Sequence, residues 1–276
     1  MHRDHAEDVA EEVHEHDRGL SYDLPVLARR RMIRLMAGAG LIPLVGCTAD
    51  EDTSAAATSP KGTSSAECAP IPDETAGPFP GDGSNGVNVL KESGVVRSDI
   101  TASFGDSAGG TAEGVPLTVT LTVVDAASGC GTPKKGAAVY LWHCDREGNY
   151  SLYSEGVTEE NYLRGVQETD DKGQVTFESV FPGCYTGRWP HIHFEVYGSL
   201  ADATAATSIT STSQLAFPKD TCDTVYATDG YGQSVTNLSR ISLETDGIFS
   251  DGYTQQLATM SGGVEAGYTA TLTVPV

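Results

Sequence analysis

Residues 185–193 read Tyr-Thr-Gly-Arg-Trp-Pro-His-Ile-His, and Phe194-Glu-Val-Tyr197 continues them. After Pro190 the run has the β-branched and aromatic content of a strand. Side chains alternate faces along a strand, so His191 and His193 point one way and Ile192 the other. Two imidazoles at that spacing can hold one metal ion. Beyond residue 16 the chain has only His143, His191 and His193, so the pair uses two of three histidines. Tyr185 stands just upstream. A second tyrosine, Tyr150, ends an earlier apolar strand, Val139-Tyr-Leu-Trp-His-Cys144, after a tight Gly148-Asn149 turn. Two phenols with two imidazoles point to a hard, highly charged cation, and ferric iron is the natural candidate.

Working outward, strands recur. Residues 115–125 place Leu117, Val119, Leu121 and Val123 in strict alternation, the pattern of a half-buried strand. Residues 136–144, 174–180, 190–197 and 268–274 read as further strands, the second of them entered by the turn Asp170-Asp-Lys-Gly173. Frequent turn signals between them predict an all-β fold, an antiparallel β-sandwich core with long active-site loops. Residues 199–213 read as a surface loop, and 219–265 as loop-rich.

The chain has 276 residues and a formal charge of -21. With no basic patch to neutralise phosphates, nucleic-acid binding is excluded. The first 46 residues read as an export address. Ala28-Arg-Arg-Arg-Met-Ile-Arg34 resembles a twin-arginine signal, and the apolar run 35–45 is too short for a permanent membrane span. Leu44-Val45-Gly46-Cys47 resembles a lipobox, whose cysteine is lipidated and becomes the new N-terminus. The expected location is the cell envelope, with Cys47 lipid-anchored to the outer face of the cytoplasmic membrane, or the exterior by secretion. His2, His5, His14 and His16 read as solvated residues removed with the signal. Residues 47–67 form the lipidated cysteine and a small, polar tether that cannot bury enough apolar area to order itself. Residues 68–276 form one globular domain.

If Cys47 carries lipid, five of the six cysteines remain in an oxidising compartment, and an odd count leaves a free thiol. The expected pairing is Cys68 with Cys130 and Cys184 with Cys222, leaving Cys144 reduced and buried.

Four spaced motifs carry a resemblance. They are Glu74-Thr-Ala-Gly-Pro-Phe79, Trp142-His-Cys-Asp-Arg-Glu-Gly-Asn-Tyr150, Tyr162-Leu-Arg-Gly-Val-Gln167, and Phe181-Pro-Gly-Cys-Tyr-Thr-Gly-Arg-Trp-Pro-His-Ile-His193. Together they resemble the intradiol ring-cleavage dioxygenases, ferric enzymes that open catechols, over about residues 68–276. The resemblance implies a mononuclear, non-haem Fe(III) held by Tyr150, Tyr185, His191 and His193. It also implies that O2 and a small aromatic diol are the substrates and a muconate-type diacid the product. Tyr185 corresponds to the ligand that a catechol displaces, and so to a base for its proton. Arg188 is placed to stabilise negative charge on the ring. Gln214 matches a position outside the ligand set and could hydrogen-bond near iron-bound solvent.

Two departures stand out. The helical dimerisation segment of the intracellular branch is not evident, which leaves a homo-oligomer open, and Cys184 stands where exported relatives favour an aromatic. Among other residues, Trp142 reads as core or pocket wall, and His143 as structural. Asp145 and Glu147 read as solvated loop charges. Arg164 and Gly165 read as turn or pocket-mouth residues, and Gly77-Pro78 as a loop over the cleft. The rival functions are a non-catalytic β-sandwich binding module that keeps the scaffold, and a Cu(II) or Zn(II) hydrolase. Two phenolates argue against the latter, because hydrolytic zinc sites use His, Glu, Asp or Cys.

Overall fold

The histidine-bearing strand, β5 (His191–Tyr197), is buried along its whole length, and its two faces meet different surroundings. Ile192, Phe194 and Val196 enter the main apolar core. Tyr197 joins Tyr140 and Trp142 in a second apolar cluster on the opposite face. Each fully buried side chain of this size stabilises the fold by about 2 kcal/mol. A one-residue slip of register would exchange the faces and drive both imidazoles into the core, so the register is strongly specified.

A computed structural model describes residues 68–276. The arginine-rich stretch at 28–34, the apolar run 35–45, Cys47 and the tether up to residue 67 lie outside the described residues. Two four-stranded sheets form the sandwich. One has the order β4-β1-β8-β7, from β1 (Pro116–Val124), β4 (Gln174–Val180), β7 (Thr259–Gly263) and β8 (Gly267–Pro275). The other has the order β3-β2-β5-β6, from β2 (Ala138–Trp142), β3 (Arg164–Glu168), β5 and β6 (Ile209–Ala216). Alternation in β1 is as the sequence predicts, with Leu117, Val119, Leu121 and Val123 all in the core.

The expected antiparallel arrangement needs one amendment, because β1 and β8 pair in parallel. Parallel neighbours require a long crossover, and here most of the domain lies between them. Residues 199–213 are not the surface loop expected. They form helix α1 (Leu200–Ala205), whose cap Ser199 accepts from the Asp202 N–H, and then most of β6. The strand lacks an apolar signal because Ser211 and Ser213 occupy its inward positions. Their hydroxyls are satisfied by the Asp73 carboxylate and the Pro72 carbonyl. Residues 219–265 likewise contain α2 (Lys219–Tyr226), α3 (Gly232–Leu238) and β7.

The outer face of the second sheet is roofed. Phe79, Val89, Leu90 and Val95, with Ala203 of α1, pack over Tyr140 and Trp142. Cys68 is bonded to Cys130, as expected. Cys184 and Cys222 are not paired; with Cys144 they are free, buried thiols. Burial keeps all three in the neutral thiol form, with pKa values well above the ordinary range.

Candidate metal centre

His193 sits in mid-sheet, with Trp142 of β2 as its cross-strand partner on one side and Gln214 of β6 on the other. Cross-strand partners share a face, so all three side chains project under the roof. The Trp142 indole lies against the imidazole, ring centroids 4.9 Å apart and planes 7° from parallel. His191 begins the strand. Its Nδ1 donates to the Trp189 carbonyl at 2.5 Å, which fixes the tautomer and leaves the Nε2 lone pair facing inward.

Around that Nε2 the other sequence-derived donors gather. His193 Nε2 lies 3.1 Å away, the Tyr185 hydroxyl 3.2 Å and the Tyr150 hydroxyl 3.5 Å. The phenols come from loops, not strands. β2 ends at Trp142, so Tyr150 does not close a strand as expected. It follows a turn in which the Asp145 N–H bonds the Asn149 carbonyl and the Gly148 N–H bonds the Asp145 carbonyl. Gly148 adopts φ 94°, and a Cβ there would stand 3.2 Å from Tyr185 Cβ, so glycine lets the two loops approach.

Desolvation drives both imidazoles well below their ordinary pKa, so they stay neutral. Desolvation also raises the Tyr150 phenol well above its ordinary value. Without a cation, the protein keeps these groups protonated or neutral. A trivalent ion among them would reverse the phenol's preference by direct stabilisation of phenolate. Bonds of about 2.0–2.1 Å put neighbouring ligand atoms about 2.9–3.4 Å apart in common geometries, close to the spacings observed. The donor set therefore fits a hard metal ion. Among the described residues no group of three or more His, Cys, Asp or Glu could hold one, so the phenols are indispensable to such a site.

Arg188 lies beside this cluster, and its charge reaches Tyr150, His191 and His193. Its Nη2 donates to Gln214 Oε1 at 2.6 Å, and Gln214 Nε2 donates to the Thr75 carbonyl. The Gln214 amide thus links Arg188 to the loop that carries Gly77 and Pro78. That loop does pack over the centre: a Cβ on Gly77 would lie 3.3 Å from His193 Cε1. Asp246, which the sequence reading missed, completes the constellation. Its Oδ2 accepts from Arg188 Nε at 3.0 Å and from the Trp189 N–H at 2.7 Å. Removing one member of such a buried pair costs about 3–5 kcal/mol. No motif flags Asp246; it sits in a stretch read as loop.

Two other residues are reassigned. Asp145 is buried rather than solvated. Its carboxylate accepts from the Glu147 and Asn149 N–H groups and from the Tyr162 hydroxyl, and so builds the Tyr150 turn. Arg164 is neither a turn nor a mouth residue. Its buried guanidinium donates to the carbonyls of Phe79, Pro80 and Ser151 and to the hydroxyls of Ser151 and Tyr140. It therefore clamps the roof to the Tyr150 loop. His143 is structural, as expected, bonded to Ser179 Oγ and the Cys144 carbonyl.

The two-sheet fold with a pair of phenols and a pair of imidazoles on one roofed face defines a particular enzyme class. The family model described as Dioxygenase matches residues 96–238. An intradiol ring-cleavage dioxygenase from Tetranychus urticae superposes with a TM-score of 0.53 at 28% identity, over 67% of this chain and 87% of that one. A chlorocatechol 1,2-dioxygenase from Rhodococcus opacus is 36% identical over 55 residues, a stretch spanning 20% of this chain and 21% of that protein. The chain thus matches about a fifth of the length of that curated relative. The chain belongs to the intradiol ring-cleavage dioxygenase family.

Proposed function

We propose that the protein is a ferric, O2-dependent intradiol dioxygenase that cleaves catechol-type diols to muconate-type dicarboxylic acids. Tyr150, Tyr185, His191 and His193 would hold the iron. The observation that carries this reading is the convergence of three donor atoms within 3.5 Å of His191 Nε2. Fe(III) bound there would supply the Lewis acidity that binds a deprotonated diol and opens its ring to attack by O2.

The protein's own contributions follow from the geometry. Tyr150 is anchored: its N–H bonds Ser154 Oγ, and its ring packs 5.0 Å from Phe79. Tyr185 is the more accessible phenol, at 9% exposure against 1% for Tyr150. That asymmetry supports Tyr185 as the phenolate that yields its place and takes a proton from the diol. Arg188, held by Gln214 and Asp246, lies close enough for its charge to act on Tyr150, His191 and His193, and would stabilise negative charge developing there. The roof of Phe79, Pro80 and the Gly77 loop excludes water from the imidazole side.

Export to the cell envelope, with lipidation at Cys47, is part of the proposal. The signal-like sequence at 28–47 supports it, and so does the Cys68–Cys130 disulfide, a bond that persists in oxidising compartments. The test is direct. Iron-loaded protein should be red-brown from phenolate-to-iron charge transfer and should consume O2 with catechol. Tyr185→Phe should lose about a hundredfold or more in turnover with the fold intact. A colourless, iron-replete preparation would refute the assignment.

A further inference from the structure

Residues 181–184 lead from β4 to Tyr185 and lie outside both sheets, yet their backbone polar groups are satisfied one after another. The Phe181 carbonyl accepts from the Tyr231 hydroxyl at 2.8 Å, and the Pro182 carbonyl from the Tyr226 hydroxyl at 3.1 Å. The Gly183 N–H donates to the Asp145 carbonyl. The Cys184 N–H donates to Ser234 Oγ at 2.9 Å, and the Cys184 carbonyl accepts from Asn237 Nδ2 at 2.8 Å. The side chains among these partners all come from α2, α3 and the residue that caps α3. Buried backbone groups need partners, and here a helix pair takes the place of a neighbouring strand.

The grip closes around Tyr185. Ser234 and Asn237 are both buried. The Asn237 amide donates to residue 184 and, through Oδ1, accepts from the Thr186 hydroxyl at 3.5 Å. One side chain thus touches both neighbours of Tyr185. Gln233 Nε2 donates to the same Oδ1 at 3.3 Å, which fixes the way the amide faces. The phenol itself is turned to His191, its oxygen 3.2 Å from Nε2. Backbone and ring are therefore held by different groups. A phenol that must leave its place and regain it needs that division. A change of χ1 between staggered wells carries the oxygen away, and a stationary Cα returns it to the same position.

We propose that Ser234 and Asn237 are positioning residues for Tyr185. They pin the peptides on either side of it to α3, so that exchange of the phenol for a diol is a rotation of the side chain on a fixed backbone. The inference rests on the functional reading above and assigns the motion which that reading requires to one side chain.

The experiment uses iron-loaded, full-length protein without O2, before and after catechol is added. It follows the charge-transfer band and the amide hydrogen exchange of peptides spanning 181–187. The band should change toward that of Tyr185→Phe, while exchange over 181–187 quickens by no more than about threefold. A larger increase shows the backbone moving with the ring and overturns the proposal. Asn237→Ala and Ser234→Ala then separate positioning from general support. Each should lower kcat about tenfold, with KM changed less. In a Tyr185→Phe background the same substitutions should lower it by less than about twofold, since they act through the phenol. Equal losses in both backgrounds overturn the proposal. Val235→Ala, on the exposed side of the same helix, should change neither band nor kcat, and a loss there equal to that of Asn237→Ala overturns it too. If neither clamp variant folds, the exchange measurement on the wild type decides. A wild-type band indifferent to catechol, or Tyr185→Phe with wild-type turnover, sinks the metal-centre reading itself, and this inference with it.

Discussion

Trp142 lies flat against the imidazole of His193, with centroids 4.9 Å apart. His193 Nδ1 has no hydrogen-bond partner, unlike His191 Nδ1, which is held by the Trp189 carbonyl. The two candidate ligands are therefore oriented by different means, one by a hydrogen bond and the other by stacking. Trp142→Leu should loosen the His193 ring and lower iron retention about tenfold or more, whereas Trp142→Phe keeps a stacking surface and should lose less. Residual iron after a chelator challenge measures this. Equal retention in all three proteins would show that the stack does not orient the ring.

Arg164 offers a second check. Truncation to alanine leaves the buried carbonyls of Phe79 and Ser151 without the Arg164 donor and Pro80 with only the Tyr140 hydroxyl, which should cost about 3 kcal/mol or more. Arg164→Lys should rescue little, because an ammonium cannot reproduce the five-donor fork. Urea denaturation gives the stability. A lysine variant as stable as wild type would show that charge, not geometry, is what the roof needs.

His143 and Asp145 titrate against each other. Burial pulls His143 from 6.5 down to about 4 and pushes Asp145 from 3.8 up to about 6. Between the two His143 values the unfolded chain binds the extra proton, so stability rises with pH. Between the two Asp145 values the folded chain holds the extra proton, so stability falls as pH rises. Each slope is about 1.4 kcal/mol per pH unit, and they nearly cancel between about pH 4 and 6. His191 and His193 add rising slopes and Glu195 a falling one in the same range, so the readout is the change from wild type: Asp145→Asn should make the slope more positive and His143→Gln more negative. Denaturation midpoints across that range would show it, and two variants whose slopes move in the same direction from wild type would contradict the assignment.

The disulfide closes a long loop, with 62 residues separating its cysteines. In the chain-entropy account such a bridge stabilises by about 4 kcal/mol, so its removal should lower the Tm by about 10 °C. Peptide mapping after alkylation should label Cys144, Cys184 and Cys222 only on unfolding, and Cys68 and Cys130 only on reduction. Labelling of Cys184 or Cys222 that needs a reductant would show a bond between them.

The strand that carries the histidines was legible because its alternation and its chemistry coincide in one short run. β1, β4 and β8 were legible for the same reason of alternation. β6 was not, since Ser211 and Ser213 fill inward positions and are satisfied by the distant Asp73 and Pro72, which no local pattern reveals. Tyr150 and Tyr185 were found through motif spacing, but their placement on loops depends on turn chemistry at Asp145 and Gly148. Asp246 escaped notice because its role exists only through contact with Arg188, remote in sequence. Cys184 and Cys222 misled for the converse reason: cysteine arithmetic cannot see that both thiols are buried and unpaired.

The bridge between Cys68 and Cys130 also has a directional meaning. Pro116 at the start of β1 pairs with Val180, a few residues before Tyr185, while Cys130 follows the other end of the same strand. Nine residues of strand separate those ends, about 30 Å at the usual rise. Cys68 is thus pinned beyond the Val124 end of β1, the end opposite the one that pairs with Val180. Any support that grips the polypeptide upstream of that cysteine would hold the sandwich by that end of the sheet.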